Sequence, residues 1–78
     1  MIPLELKAAR VRCGFTQKEV ADSLDMSVTT YANKERGVTR FTETEKFALA
    51  RMFGLDVYQM DKILFDGQFA AFANAEVR

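Results

Sequence analysis

A series of helix starts and stops divides this chain into short helical segments and leaves no room for a long one. Pro3 fits a first-turn position and Gly14 a stop, so the first helix is expected over residues 3 to 13. Thr16 with Glu19 three residues on forms a capping box ahead of Val20, Ala21 and Leu24, which predicts a second helix of about eight residues. Asp25 and Met26 make a short link. Ser27 then offers another N-cap for a helix that runs through Tyr31 to Glu35 and closes at Gly37. Thr42 and Glu45 repeat the capping box before Phe47, Leu49, Ala50 and Phe53, with Gly54 as the stop. Asp56 caps a fifth stretch containing Tyr58, Met60, Ile63 and Leu64, which Gly67 ends.

Five short helices and no strand signal predict an all-α fold, and 78 residues allow only one modest core. Apolar residues make up 49% of the chain and only one proline is present, the composition of a folded unit. Cys13 is the only cysteine and there is no histidine, so neither an internal disulfide nor an ordinary zinc site is available, and Cys13 is expected to be a small core filler. No secretory signal or apolar run of about 20 residues is visible, which predicts a cytoplasmic protein with no membrane partner. An enzyme is not expected: with no histidine, no nucleophile and base pair can be nominated. No cofactor is implied.

The formal net charge is zero, which argues against holding nucleic acid by bulk attraction. The charges are nevertheless segregated. Lys7, Arg10, Arg12, Lys18, Lys34, Arg36 and Arg40 precede an acidic second half with Glu43, Glu45, Asp56, Asp61, Asp66 and Glu76.

The stretch QKEVADSLDMSVTTYANKERG, Gln17 to Gly37, joins two of the short helices through a tight turn. Ala21 is small where the helices must approach, and Val20, Leu24, Met26 and Tyr31 can face a core. Val28, Thr29, Ala32, Asn33 and Arg36 share the opposite surface, since residues three, four and seven apart lie on one face. Asn can bond adenine bidentately, Thr can bond several base edges, and Val or the Thr methyl can touch a thymine methyl in a major groove. This surface therefore carries base-reading chemistry.

T-Q-K-E-V-A, then S-V-T-T-Y, then E-R-G, resembles the lambda-repressor-like, Xre-type helix-turn-helix regulators over residues 4 to 65. The resemblance implies a compact five-helix DNA-binding domain, assigned here to residues 1 to 67, whose second and third helices form the DNA-reading pair. It implies base-reading slots at Val28, Thr29 and Asn33. Gln17 corresponds to a residue that bonds a phosphate and braces the recognition helix. Arg36, Thr39 and Arg40 correspond to phosphate contacts, with Lys18 and Lys34 as weaker candidates, and Arg10 and Glu35 to a structural ion pair. Two departures stand out. Asp25 occupies the turn position where the family usually has glycine, and Lys34 replaces an apolar residue, so its stem is expected to pack while its ammonium reaches toward a phosphate.

These features predict a phage-type transcriptional repressor that binds a two-fold double-stranded operator as a homodimer. Residues 68 to 78 form an apolar extension that docks on its own domain or on a partner. Helix five and this extension, through Tyr58, Met60, Leu64, Phe65, Phe69 and Phe72, supply the expected dimer contact. An antitoxin-like or regulatory module that binds a different protein through the same apolar surface is the alternative.

Overall fold

A computed structural model describes residues 1–68. Phe69 and Phe72 lie outside the described residues. Five helices follow one another, α1 Pro3–Arg12, α2 Gln17–Ser23, α3 Val28–Glu35, α4 Glu43–Met52 and α5 Val57–Leu64, with no strand among the described residues. Each of the last four begins where a side chain satisfies an orphan backbone N–H: Thr16 accepts from Glu19, Ser27 from Thr30, Thr42 from Glu45 and Asp56 from Gln59. Glu19, Glu45 and Gln59 return the bond to complete three capping boxes.

The helices also end alike. In each, the residue after the C-cap takes a left-handed backbone; in α1 to α4 the following N–H bonds a carbonyl five residues back, Phe15 to Arg10, Met26 to Ala21, Val38 to Asn33 and Leu55 to Ala50, and in α5 the Gly67 N–H bonds the Asp61 carbonyl six residues back. Gly14, Gly37 and Gly54 fill three of these positions, whereas Asp25 and Asp66, both at φ 55°, fill the other two. The stop of α5 is thus Asp66 and not Gly67, which follows it with a positive φ of its own.

Leu6, Val20, Tyr31, Leu49 and Leu64 are fully buried and take one or more positions from every helix. Burying side chains of this size contributes about 1.5 to 3 kcal/mol each. α2 packs on α3, and α1 packs on both α3 and α5. Ala21 is also fully buried, and its small size lets the backbones of α2 and α3 approach.

Cys13 departs from expectation. As the C-cap of α1 it sits exposed at the rim, its thiol 3.4 Å from the Phe53 carbonyl oxygen, while Phe15 and Phe53 pack together below with ring centroids 6.1 Å apart. Met60 and Leu64, expected at a dimer contact, also belong elsewhere. α5 turns them into the monomer's own core, with Leu64 0% exposed. Tyr58 projects outward at 83% exposed, and Phe65 is half-buried against Phe47. No helix among the described residues is long and apolar enough to cross a membrane.

Candidate nucleic-acid interface

α3 shows two chemically different sides. Tyr31 and Glu35, four residues apart, are buried, whereas Val28, Thr29 and Arg36 are exposed and Asn33 is half-buried. The helix start is locked locally: Ser27 Oγ accepts the Thr30 backbone N–H at 3.1 Å and is 2.8 Å from the Thr30 hydroxyl. Thr30 is thus turned to its own cap, and Thr29 is the exposed hydroxyl beside Val28 on the outer side.

Behind the helix, Glu35 gathers three parts of the chain. Arg10 Nε donates to Glu35 Oε2 at 2.8 Å and Arg10 Nη2 to Oε1 at 3.3 Å, and the Gln17 side-chain amide donates to Oε1 at 3.2 Å. Arg10 Nη1 also donates to the Phe15 carbonyl at 2.8 Å. One buried guanidinium thereby ties α1 and the loop before α2 to the end of α3, and Gln17 adds a tie from the first turn of α2. Burial pushes the Glu35 carboxyl up, but the hydrogen bonds from Arg10 and Gln17 and the Arg10 charge hold it below the ordinary carboxylate range. Burial, then the neighbouring Glu35, raises the Tyr31 hydroxyl well above its usual value, so it stays neutral.

The expected phosphate contacts separate into two groups. Arg36, Thr39 and Arg40 line one groove of about 590 Å³ beside the end of α3, together with Phe41 and Lys46. Arg36 and Arg40 have no carboxylate within ion-pair distance among the described residues. Lys46, half-buried with its ammonium 4.9 Å above the Phe65 ring, brings a third cation that the sequence pattern did not single out. Its position in the second turn of α4, just after a basic loop, is the signal that could have found it.

Lys18 and Lys34 are engaged elsewhere. Lys18 pairs with Asp22 at 3.1 Å across one turn of α2, an exposed and therefore weak link. Lys34, expected to extend toward a phosphate, is turned to Glu45 at 2.8 Å and lies 5.9 Å from the Phe41 ring centroid, with its side chain only 15% exposed. The turn into α4 places an acceptor and an aromatic face within reach of its stem, so the ammonium does not extend into solvent.

On the outer face, Arg36 Nη2 donates to Asn33 Oδ1 at 2.6 Å. The surface of α3 thus offers Val28, Thr29 and a joined Asn33–Arg36 pair, with Thr39 and Arg40 alongside. A rigid helix with short polar side chains outward and cations at its end has the shape and chemistry to enter a major groove between phosphates. A family model described as helix-turn-helix matches residues 6–59, from the first turn of α1 into α5. No curated protein and no solved structure shows a match.

Proposed function

Because the chain belongs to the lambda-repressor-like helix-turn-helix family of DNA-binding transcription regulators, we propose that it is a repressor of the phage type that reads a two-fold operator by setting α3 in the major groove. The observation that carries this reading is the two-sidedness of α3. Its inner side is fastened through Tyr31, Glu35, Arg10 and Gln17, so Val28, Thr29 and Asn33 are presented at low entropic cost. Val28 suits a thymine methyl, and Thr29 and Asn33 suit polar base edges. Arg36, Thr39 and Arg40 neutralise or bond flanking phosphates, with Gln17 contributing from the start of α2 and Lys18 once it leaves its exposed partner.

Two copies are proposed to bind successive major grooves, and obstruction of polymerase then gives repression. The exposed Tyr58 and Val57 at the start of α5 support a homodimer contact, with Phe65 at the edge of the same helix. The core positions Met60 and Leu64 are not part of it. Selection of bound fragments from random double-stranded DNA followed by footprinting tests the proposal. The expected result is an enriched inverted repeat with half-sites about 34 Å, or one helical turn, apart. Retention without sequence enrichment, or equal retention of single-stranded competitor, counts against operator reading. An unpaired half-site counts against the dimer.

A further inference from the structure

The contact between Arg36 and Asn33 determines which way the Asn33 amide faces. A guanidinium has only donors, so the atom 2.6 Å from Arg36 Nη2 must be the amide oxygen, and the amide nitrogen is the end left for other partners. The backbone that carries the two residues is well defined. Arg36 is the C-cap of α3, and the Asn33 carbonyl accepts the Val38 N–H at 2.9 Å, so the turn carrying both residues is closed. The other cation of this turn, Lys34, is held by Glu45 and does not compete for Asn33. No carboxylate among the described residues lies within ion-pair distance of Arg36 to draw it away.

We propose that Asn33 and Arg36 act together as a donor-only reader that selects guanine, not adenine, at the base pair facing Asn33. This deepens the operator-reading function and rests on it. An unencumbered Asn reads adenine by accepting from N6–H and donating to N7. Here one lone pair of Oδ1 already accepts from a cation, and an adenine amino group bonding the other would bring its own positive hydrogens beside that charge. Guanine presents two acceptors, N7 and O6, to the same place. The Asn33 amide N–H groups and the remaining Arg36 N–H groups match that edge, and the guanidinium charge favours it further. Arg36 is then a positioning and specificity-determining residue as well as a source of charge near phosphates.

The test is selection from a random double-stranded library with the intact chain, Asn33→Ala, Arg36→Ala and Arg36→Lys, after circular dichroism has shown all four folded. Asn33→Ala identifies the operator position by the preference it loses. At that position the intact chain is expected to favour guanine over adenine by roughly 10-fold or more. Arg36→Ala should bring the ratio to about threefold or less, or reverse it toward adenine, because Oδ1 is released. Arg36→Lys should retain a weaker guanine preference, since an ammonium can still donate to Oδ1. Adenine preference in the intact chain overturns the inference. So does an Arg36→Ala variant that binds every duplex more weakly with an unchanged base preference and a salt slope smaller by about one, the signature of a phosphate contact alone. Complete loss of duplex binding in Arg36→Ala also overturns it, because a positioning contact does not carry the whole affinity. If the intact chain enriches no duplex, operator reading itself fails, an outcome distinct from enrichment with the wrong base.

Discussion

Lys34 Nζ lies 2.8 Å from Glu45 Oε1, and that same carboxylate oxygen accepts the Thr42 backbone N–H at 2.9 Å. A single atom therefore closes the capping box of α4 and holds the last turn of α3 against it, across the loop that carries Thr39 and Arg40. Burial works to raise the Glu45 carboxyl, but Lys34 and the Thr42 N–H outweigh it and keep Glu45 below the ordinary carboxylate range. Glu45→Ala removes both functions and Lys34→Ala only one. The reciprocal bond of the box, from the Thr42 N–H to the Glu45 carboxylate, is worth about 1 kcal/mol. The partly exposed ion pair adds up to about 1 kcal/mol. Glu45→Ala should therefore be the more destabilising in urea unfolding, and the double variant should fall short of the sum of the two. Full additivity would mean that the pair contributes nothing.

The pair between Arg10 and Glu35 is of another kind because both side chains are nearly excluded from solvent. Glu35→Gln leaves the buried guanidinium without its counter-charge, a change that costs about 3 kcal/mol. This cost should depend on pH in a definite direction. The folded Glu35 carboxyl titrates below its ordinary value near 4.5, so the unfolded chain takes up the proton first as pH falls. The stability that ionised Glu35 provides is complete above pH 4.5 and is lost as pH drops through the depressed folded value. Glu19 and Glu45 shift the same way and contribute to acid unfolding of both proteins, so the informative quantity is the difference between the intact chain and Glu35→Gln. That difference should be largest at neutral pH and shrink below pH 4.5 in chemical unfolding experiments. A constant difference across the acid range would remove Glu35 ionisation from the account.

Much of the architecture was legible because its signals are local. Thr16, Ser27, Thr42 and Asp56 lie within three residues of the backbone groups they satisfy, so spacing alone identified the helix starts. The inward turn of Tyr31 and Glu35 likewise followed from the helical period. Features that depend on contacts distant in sequence were not legible in this way. Lys34 is eleven residues from Glu45, and nothing in the alternation of apolar residues indicates which acceptor a long side chain will find. Cys13 looked like core material by residue type, yet its place as the C-cap of α1 carries it to the rim. Met60 and Leu64 share their apolar character with Tyr58, yet α5 turns the first two into the core and Tyr58 to the surface. The pair of Asn33 and Arg36 was within reach of pattern reasoning, since residues three apart meet on a helix, but their bond depends on side-chain conformation.

Asp25 tests how demanding the turn between α2 and α3 is. It holds φ 55° where three other helix ends have glycine, and the Met26 N–H next to it bonds the Ala21 carbonyl at 3.0 Å. Aspartate tolerates this left-handed region better than most residues, whereas a β-branched side chain does not. Asp25→Val should cost about 1 to 2 kcal/mol. Asp25→Gly should stay within about 1 kcal/mol of the intact chain, because relief of the backbone is offset by the greater freedom of glycine when unfolded. Thermal unfolding of the two variants measures both, and equal effects would mean that the turn relaxes to another conformation.

The two faces of α5 make opposite predictions for association and stability. Leu64 is fully buried beside Leu6 and Leu49 in the core, so Leu64→Ala should cost about 2 to 5 kcal/mol through the cavity it leaves. Its effect on association should be no more than the loss of folded protein explains. Tyr58 is 83% exposed, so Tyr58→Glu removes little from the monomer and should shift unfolding by no more than about 0.5 kcal/mol. If α5 carries the homodimer contact, that same change places a charge in an apolar interface and should drive the chain to monomer in sedimentation at fixed concentration. A Tyr58→Glu variant that sediments like the intact chain, with its stability unchanged, would move the contact away from the start of α5.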